Sequence, residues 1–320
     1  MARKKPDLNE LRLCVDRPIP ETSTMDAAIL AMAENHDNEP PPLVIRPGAA
    51  VHPVEMALFT TKKWANGRKL GVRFLDGTKK QKTQTQKYAE MWEQFANVNF
   101  DFSAGAKAEI RISFKEVGSW SALGTDCLVA QWFPKSKPTM NYGWLKDDSA
   151  EAEWRRVVLH EFGHALGAIH EHQNPSGGIR WNLPEVYRVF SGPPNNWDKA
   201  KIDFNIVQKY SMTQLNATQY DSKSIMLYSF PGNLIVGGQA TPNNTDVSAM
   251  DKKFIGEMYP KPAPRRKAAA AALEAVEAPM IPIREAKPLV FTTETFTAIA
   301  GNLSRLASPR TPAGRGRPVR

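Results

Sequence analysis

The stretch His160-Glu161-Phe162-Gly163-His164-Ala165-Leu166-Gly167-Ala168-Ile169-His170 constrains this chain more than any other. His160 and His164 are four residues apart, so on a helix their imidazoles share one face about one turn apart and can bind one ion. Neutral imidazole suits zinc, whose catalytic sites take three protein ligands and leave a fourth place for water. Glu161 lies between the two histidines, where it takes a proton from that water instead of binding metal. Gly167 is where the helix should stop, because glycine accepts the left-handed turn that other residues resist. The turn then brings His170 back as a third ligand. An ordinary core helix with incidental histidines is the bland alternative, and it explains neither the glycine nor the third histidine at fixed offsets. The residues read as a zinc hydrolase site.

Such a site needs a rigid support, and the preceding residues supply one. A helix beginning at Ser149 presents Trp154, Val157, Val158, Phe162, Ala165 and Ile169 as an apolar face, which anchors both ligands in a core. Upstream, 70–75 alternates as a strand ended by Asp76-Gly77, and 83–98 has helical spacing with Thr83 or Thr85 as caps. The segment 108–114 alternates cleanly, with Ile110, Ile112 and Phe114 on one face. A loop of small residues follows at 118–125, then short strands at 127–133 and 139–145. Downstream, helical patterns recur at 184–190, in part of 197–210, and at 247–258.

The chain of 320 residues divides by composition. Residues 1–61 read as a weakly ordered or pro-like extension with one short helix at 25–34, 62–260 as the metal-bearing domain, and 261–320 as a flexible basic tail with an Ala-rich helix at 267–276. The tail has eleven Lys/Arg against four Glu, which accounts for most of the formal net charge of +9. Its arginines suit nucleic acid or another acidic surface, and a solvated tail without a partner explains them equally well. Two cysteines, Cys14 and Cys127, do not make a disulfide scaffold. No apolar run is long enough to span a membrane. The N-terminal residues carry basic groups without an apolar stretch behind them, so the expected location is the cytoplasm, or outside by a leaderless route. A monomer is expected.

A second motif narrows the class. Ser224-Ile225-Met226-Leu227-Tyr228 follows the third histidine by about 55 residues. With the extended histidine motif it resembles the metzincin metallopeptidases, in which a methionine turn lies beneath the metal. His170-Glu171-His172 and the Ser-Ile-Met-x-Tyr turn are similar to the astacin-like branch. So are the segment from Gly118-Ser-Trp-Ser to Thr139-Met-Asn-Tyr-Gly-Trp and the closing 247–259. The resemblance covers about 62–260. It implies an α+β fold with a twisted mixed β-sheet, two long helices in the upper half, an active-site cleft and a mostly irregular lower half. It also implies one Zn2+ held by His160, His164 and His170, with Glu161 as general base and then acid, and cleavage of protein or peptide substrates. Met226 would form the floor under the metal, and Tyr228 would be a weak extra ligand that swings to the oxyanion. An ordinary buried methionine and a core tyrosine are the plain readings of those two residues.

The chain departs from that family in its cysteines and its N-terminus. Relatives are commonly secreted and made with a propeptide, whose removal frees an amino terminus that pairs near the residue matching Glu171. Here Glu171 is expected to bind an internal group instead. Cys14, in Leu11-Arg-Leu-Cys-Val-Asp16, is a candidate inhibitory thiolate over the zinc, although a lone cysteine in a lead-in is more often just a free thiol. The functional alternative from another class is a catalytically silent zinc-bearing binding protein. The intact Glu161 speaks against it, since a structural zinc requires no base there.

Overall fold

A mixed five-stranded sheet organises the described part of the chain. The computed structural model describes residues 13–39, 61–193, 195–209 and 219–262, all within one compact unit, Met1–Ala263. The expected basic tail and its Ala-rich helix fall outside the described residues, apart from the first two positions of the tail. The strands are β1 (Lys69–Phe74), β2 (Asn99–Asp101), β3 (Ile110–Ser113), β4 (Ser119–Ser121) and β5 (Met140–Tyr142), in the order β2-β1-β3-β5-β4. Every neighbouring pair is parallel except β4 with β5, where Trp120 stands opposite Asn141. β4 is therefore an edge strand with one free side. It lies in the segment expected to be a loop. Three residues of small and aromatic type are too few to show a period of two.

The longer helices among the described residues are α1 (Thr24–Glu34), α2 (Lys79–Ala89), α3 (Glu151–Ala165), α4 (Leu183–Ser191) and α5 (Ala249–Met258). A single short turn of helix, Lys199–Ile202, lies in the segment expected to be partly helical. α2 starts earlier than its apolar spacing suggests. Thr78 Oγ1 accepts from the Gln81 amide at 3.1 Å, and Gln81 Oε1 accepts from the Thr78 amide at 2.8 Å. This reciprocal cap starts the helix in a lysine-rich turn that has no apolar signal. The strand expected at 127–133 is absent. A 3-10 turn spans Gly124–Leu128 instead, because Gly124 adopts φ +48° where a Cβ would lie 1.9 Å from the Lys62 carbonyl. Only glycine permits that approach.

α3 runs through the core between the sheet and the rest of the unit. Trp154, Val158, Leu159 and Phe162 on it are fully buried, with Trp64, Trp92 and Tyr142 around them. Removing a side chain of that size from water stabilises by about 1.5–3 kcal/mol. Polar ties fix the helix along its length: Trp92 Nε1 donates to the Leu159 carbonyl (3.1 Å) and Trp64 Nε1 to that of Ala165 (2.8 Å).

The described part of the N-terminal extension is folded. α1 matches the helix expected at 25–34, and Leu13 and Cys14 are buried. Asn38 fastens it, donating Nδ2 to the carbonyls of Ala31 and Lys63 while Oδ1 accepts from Thr61 Oγ1 and the Lys63 amide. Contacts between a side chain and distant backbone leave no periodic trace in a sequence, which is why weak order was the natural expectation there. No helix among the described residues is long and apolar enough to cross a membrane.

Candidate metal centre

α3 ends where its motif requires. Gly167 has φ +97°, its amide donates to the His164 carbonyl (2.8 Å), and the Ala168 amide reaches the Gly163 carbonyl (2.9 Å). That pair of bonds is a Schellman cap. It turns the chain so that His170 faces back to the helix.

The three imidazoles meet at one point. His164 Nε2 lies 3.2 Å from His160 Nε2 and 2.9 Å from His170 Nε2. Each outer nitrogen has an acceptor: His160 Nδ1 donates to the Ile225 carbonyl (2.8 Å), His164 Nδ1 to the Ala168 carbonyl (2.8 Å), and His170 Nδ1 to the Asp16 carboxylate (3.2 Å). A proton on each Nδ1 leaves Nε2 as a bare lone pair. Three lone pairs cannot face one another at this range without a cation between them. Ligands about 2.0–2.1 Å from a tetrahedral zinc stand roughly 3.3 Å apart, so the donor set fits the ion. Burial drives His160 far below its ordinary pKa and takes His164 down to about 3, each helped by its neighbouring imidazoles. Both are therefore neutral and ready to ligate at physiological pH.

A fourth donor comes from the lead-in. Cys14, His160, His164 and His170 bring their ligand atoms within 4.8 Å of one another. The segment lies on the free side of β4: Cys14 forms a parallel bridge with Ser119, and the Val15 amide donates to the Ser119 carbonyl (3.2 Å). The Cys14 thiol lies 3.3 Å from Glu161 Oε2. Next along, the Asp16 amide donates to Asn205 Oδ1 (3.1 Å) while its carboxylate holds His170. Burial acts to raise the Asp16 carboxyl, but its interactions with the His170 imidazole, with His164 and His172 behind it, outweigh that and hold it below the ordinary value. A cavity of about 130 Å³ lies beside this segment, lined in part by Asp16, Arg17, Ser121, Leu123, His164 and His170. Part of the cleft is therefore filled by the protein's own chain.

Glu161 is buried beside the metal point, and burial pushes its carboxyl up to about 8. Tyr228 donates its hydroxyl to the Cys14 carbonyl (2.8 Å) and also touches His170 Nε2. Burial first, then the nearby Cys14, Asp16 and Glu161, keep the phenol well above its ordinary pKa, so it stays a donor.

Met226 lies under the helix. A Cβ on Gly163 would come 2.5 Å from Met226 Sδ, so the turn touches α3 only because position 163 is glycine. The turn is fastened to α5: Ser224 Oγ donates to Asp251 Oδ1 (2.7 Å) and the Ile225 amide to Asp251 Oδ2 (2.8 Å). Glu171 joins the same frame. Its amide donates to the Met226 carbonyl (3.0 Å), and Oε1 accepts from the Asp221 amide (2.8 Å) and Asn174 Nδ2 (3.0 Å). Internal groups thus occupy Glu171, as the sequence led one to expect.

Sequence reasoning missed three participants. Asp16 gave no signal, Gly163 was overlooked although a glycine inside a helix is a recognisable anomaly, and β4 was read as loop. It also rated Cys14 as more often a free thiol, whereas the fold brings it to the metal ring.

The comparisons agree with this geometry. The Matrixin family model matches residues 63–177. One structure of myroilysin is similar at 40% identity, covering 63% of this chain and 97% of that one, with a TM-score of 0.61. A crystal structure of myroilysin is similar at 36% identity, covering 78% and 100%, with a TM-score of 0.51. The chain belongs to the metzincin-type metallopeptidases. That family is zinc-dependent, in keeping with the three-histidine ring. A search of curated proteins gives no significant match.

Proposed function

We propose that this metzincin is a zinc endopeptidase of the astacin-like branch, with Glu161 as general base and residues 13–19 holding it latent. The observation that carries the reading is the convergence of three bare Nε2 atoms with a buried carboxylate beside them. His160, His164 and His170 would hold the ion. Zinc, when bound, supplies Lewis acidity, making a water acidic enough to lose a proton near neutral pH. Glu161 takes that proton and hands it to the leaving amine. A carboxylate held beside the ion and out of bulk water is placed for both steps, since it can accept the proton and pass it on without losing it to solvent. Tyr228 releases the Cys14 carbonyl and donates to the oxyanion that develops on the substrate, with Met226 and Gly163 keeping the helix seated on its floor.

The branch assignment rests on Ser224–Tyr228 and on His170-Glu171-His172. The family model that matches carries the name of a different branch, Matrixin. A tyrosine hydroxyl at the His170 ring favours the astacin-like reading. Latency rests on Cys14, whose thiolate would take the place a substrate water needs. The proposed organisation is therefore a pro-like extension through residue 61, a catalytic domain at 62–260 and a basic tail beyond it.

The test compares full-length protein with its Glu161→Gln variant at equal zinc content, using a peptide library after the Cys14 thiol has been blocked with a mercurial. Cleavage by the wild type should fall by about 10²–10⁴-fold in the variant. Equal inertness of both at one zinc per chain overturns the peptidase reading in favour of a silent zinc-bearing protein.

A further inference from the structure

Arg17 sits three residues beyond Cys14, and its side chain rests on the edge of the sheet. Its guanidinium carbon lies 4.2 Å from the centre of the Trp120 ring, and Nη2 is 3.5 Å from Glu116 Oε2. The two supports are firmly built. Trp120 is buried in β4 with only 3% of its surface exposed. Glu116 is fixed through its backbone: its amide donates to Asn141 Oδ1 (3.2 Å), and its carbonyl accepts from Asn141 Nδ2 (3.0 Å). Asn141 is wholly buried in β5. Gly143 lets the loop close down, since a Cβ there would lie 2.3 Å from the Glu116 carbonyl.

We infer that Trp120 and Glu116 form a substrate subsite for a cationic side chain, arginine in preference to lysine, about three residues from the bond that is cut. The inference rests on the peptidase reading above and extends it to specificity. β4 offers one free edge beside the metal ring, and an extended peptide that reaches the ring pairs with that edge. The groups that meet the lead-in there will meet a substrate. A flat aromatic face with one carboxylate at its border matches a planar guanidinium, which stacks and forms ion pairs together, better than it matches an ammonium. Departure of the lead-in uncovers the ring and frees the carboxylate, so the subsite is Arg17's own seat reused.

The probe is a pair of heptapeptides with the sequence of residues 13–19, the cysteine replaced by serine. One carries arginine at its fifth place and the other citrulline, which keeps the shape and removes the charge. They are titrated by calorimetry into zinc-loaded full-length protein carrying Cys14→Ser and Arg17→Gln, so that the lead-in competes weakly. The arginine peptide should bind about five- to tenfold more tightly. In the added Glu116→Gln background the gap should shrink to about twofold or less. Trp120→Leu should shrink it too, but the Glu116 side chain is part-exposed, so its variant does not depend on how the core tolerates change. Equal affinity of the two peptides, binding of neither, or a gap that survives Glu116→Gln overturns the inference. Heat of binding needs no catalysis, so failure of the peptidase reading appears separately, as an uncut peptide library in the Glu161 comparison.

Discussion

The floor of the metal site and its roof are held by different kinds of contact. On the floor, His160 and His164 lean on the carbonyls of Ile225 and Ala168, in a turn and a helix cap that the core surrounds. Met226 touches α3 through a gap only glycine can leave, and Asp251 ties that turn to α5. On the roof, Cys14 and Asp16 reach the same ring from a segment fastened by one strand bridge and a few side-chain bonds. His170 is shared between them: the floor turns it into place, and the roof holds its outer nitrogen. The proposed latency requires a permanent floor under a roof that can leave.

That contrast predicts opposite outcomes for substitutions on its two sides. The largest effect belongs to the floor. His160→Ala should abolish zinc retention in dialysed protein, measured by atomic absorption, and lower peptide cleavage by about 10³-fold or more. Retention of one zinc per chain by Cys14 and the two remaining histidines would show the roof to be the stronger half. On the roof the sign reverses. Cys14→Ser in the full-length chain should raise cleavage at least about tenfold without lowering zinc content, because the blocking sulfur is gone while the three histidines stay. A smaller roof effect concerns His170. Asp16→Asn leaves the ligand in place but weakens the acceptor that orients it, so zinc transfer to a colorimetric chelator should speed up by about tenfold. An unchanged rate would mean that the turn after Gly167 alone positions His170.

The same contrast governs how much the sequence disclosed. Most of the floor was legible because its parts depend on local offsets: two histidines four positions apart on a helix, a glycine at the cap, and a short turn with methionine at its centre. Gly163, whose partner Met226 is far along the chain, was the part that was missed. The strands β1 and β3 and the helices α1, α3 and α5 were legible for the same reason of short-range period. The roof was not. Asp16 and His170 are 154 residues apart and Cys14 and Glu161 are 147 apart, and no spacing rule connects such pairs. Cys14 was recognisable as a thiol that could cap zinc, yet its burial on β4 depends on an edge strand of three residues that carries no period. α2 shows an intermediate case. Its cap obeys a local rule, but the lysines that follow hide the start from a search for apolar spacing.

The smallest predicted effect probes how tightly the floor is closed. Gly163→Ala puts a methyl where Met226 Sδ now lies 2.5 Å away and Met226 Cε 3.3 Å away. The substitution gains about 1 kcal/mol of helix propensity, while forced repacking in a full core costs about 1–3 kcal/mol. The expected net is a loss of about 0–2 kcal/mol in urea unfolding of the zinc-loaded chain. Met226→Ala creates a void of its own, so the informative quantity is the coupling between the two changes. If the contact sets the cost, the double variant should be more stable than the sum of the single losses by about 1 kcal/mol, since the new methyl then fills space the thioether has left. Strict additivity would mean that α3 and the turn can shift apart under strain. The floor would then be compliant as well, and the roof would have to hold the ligand ring in shape.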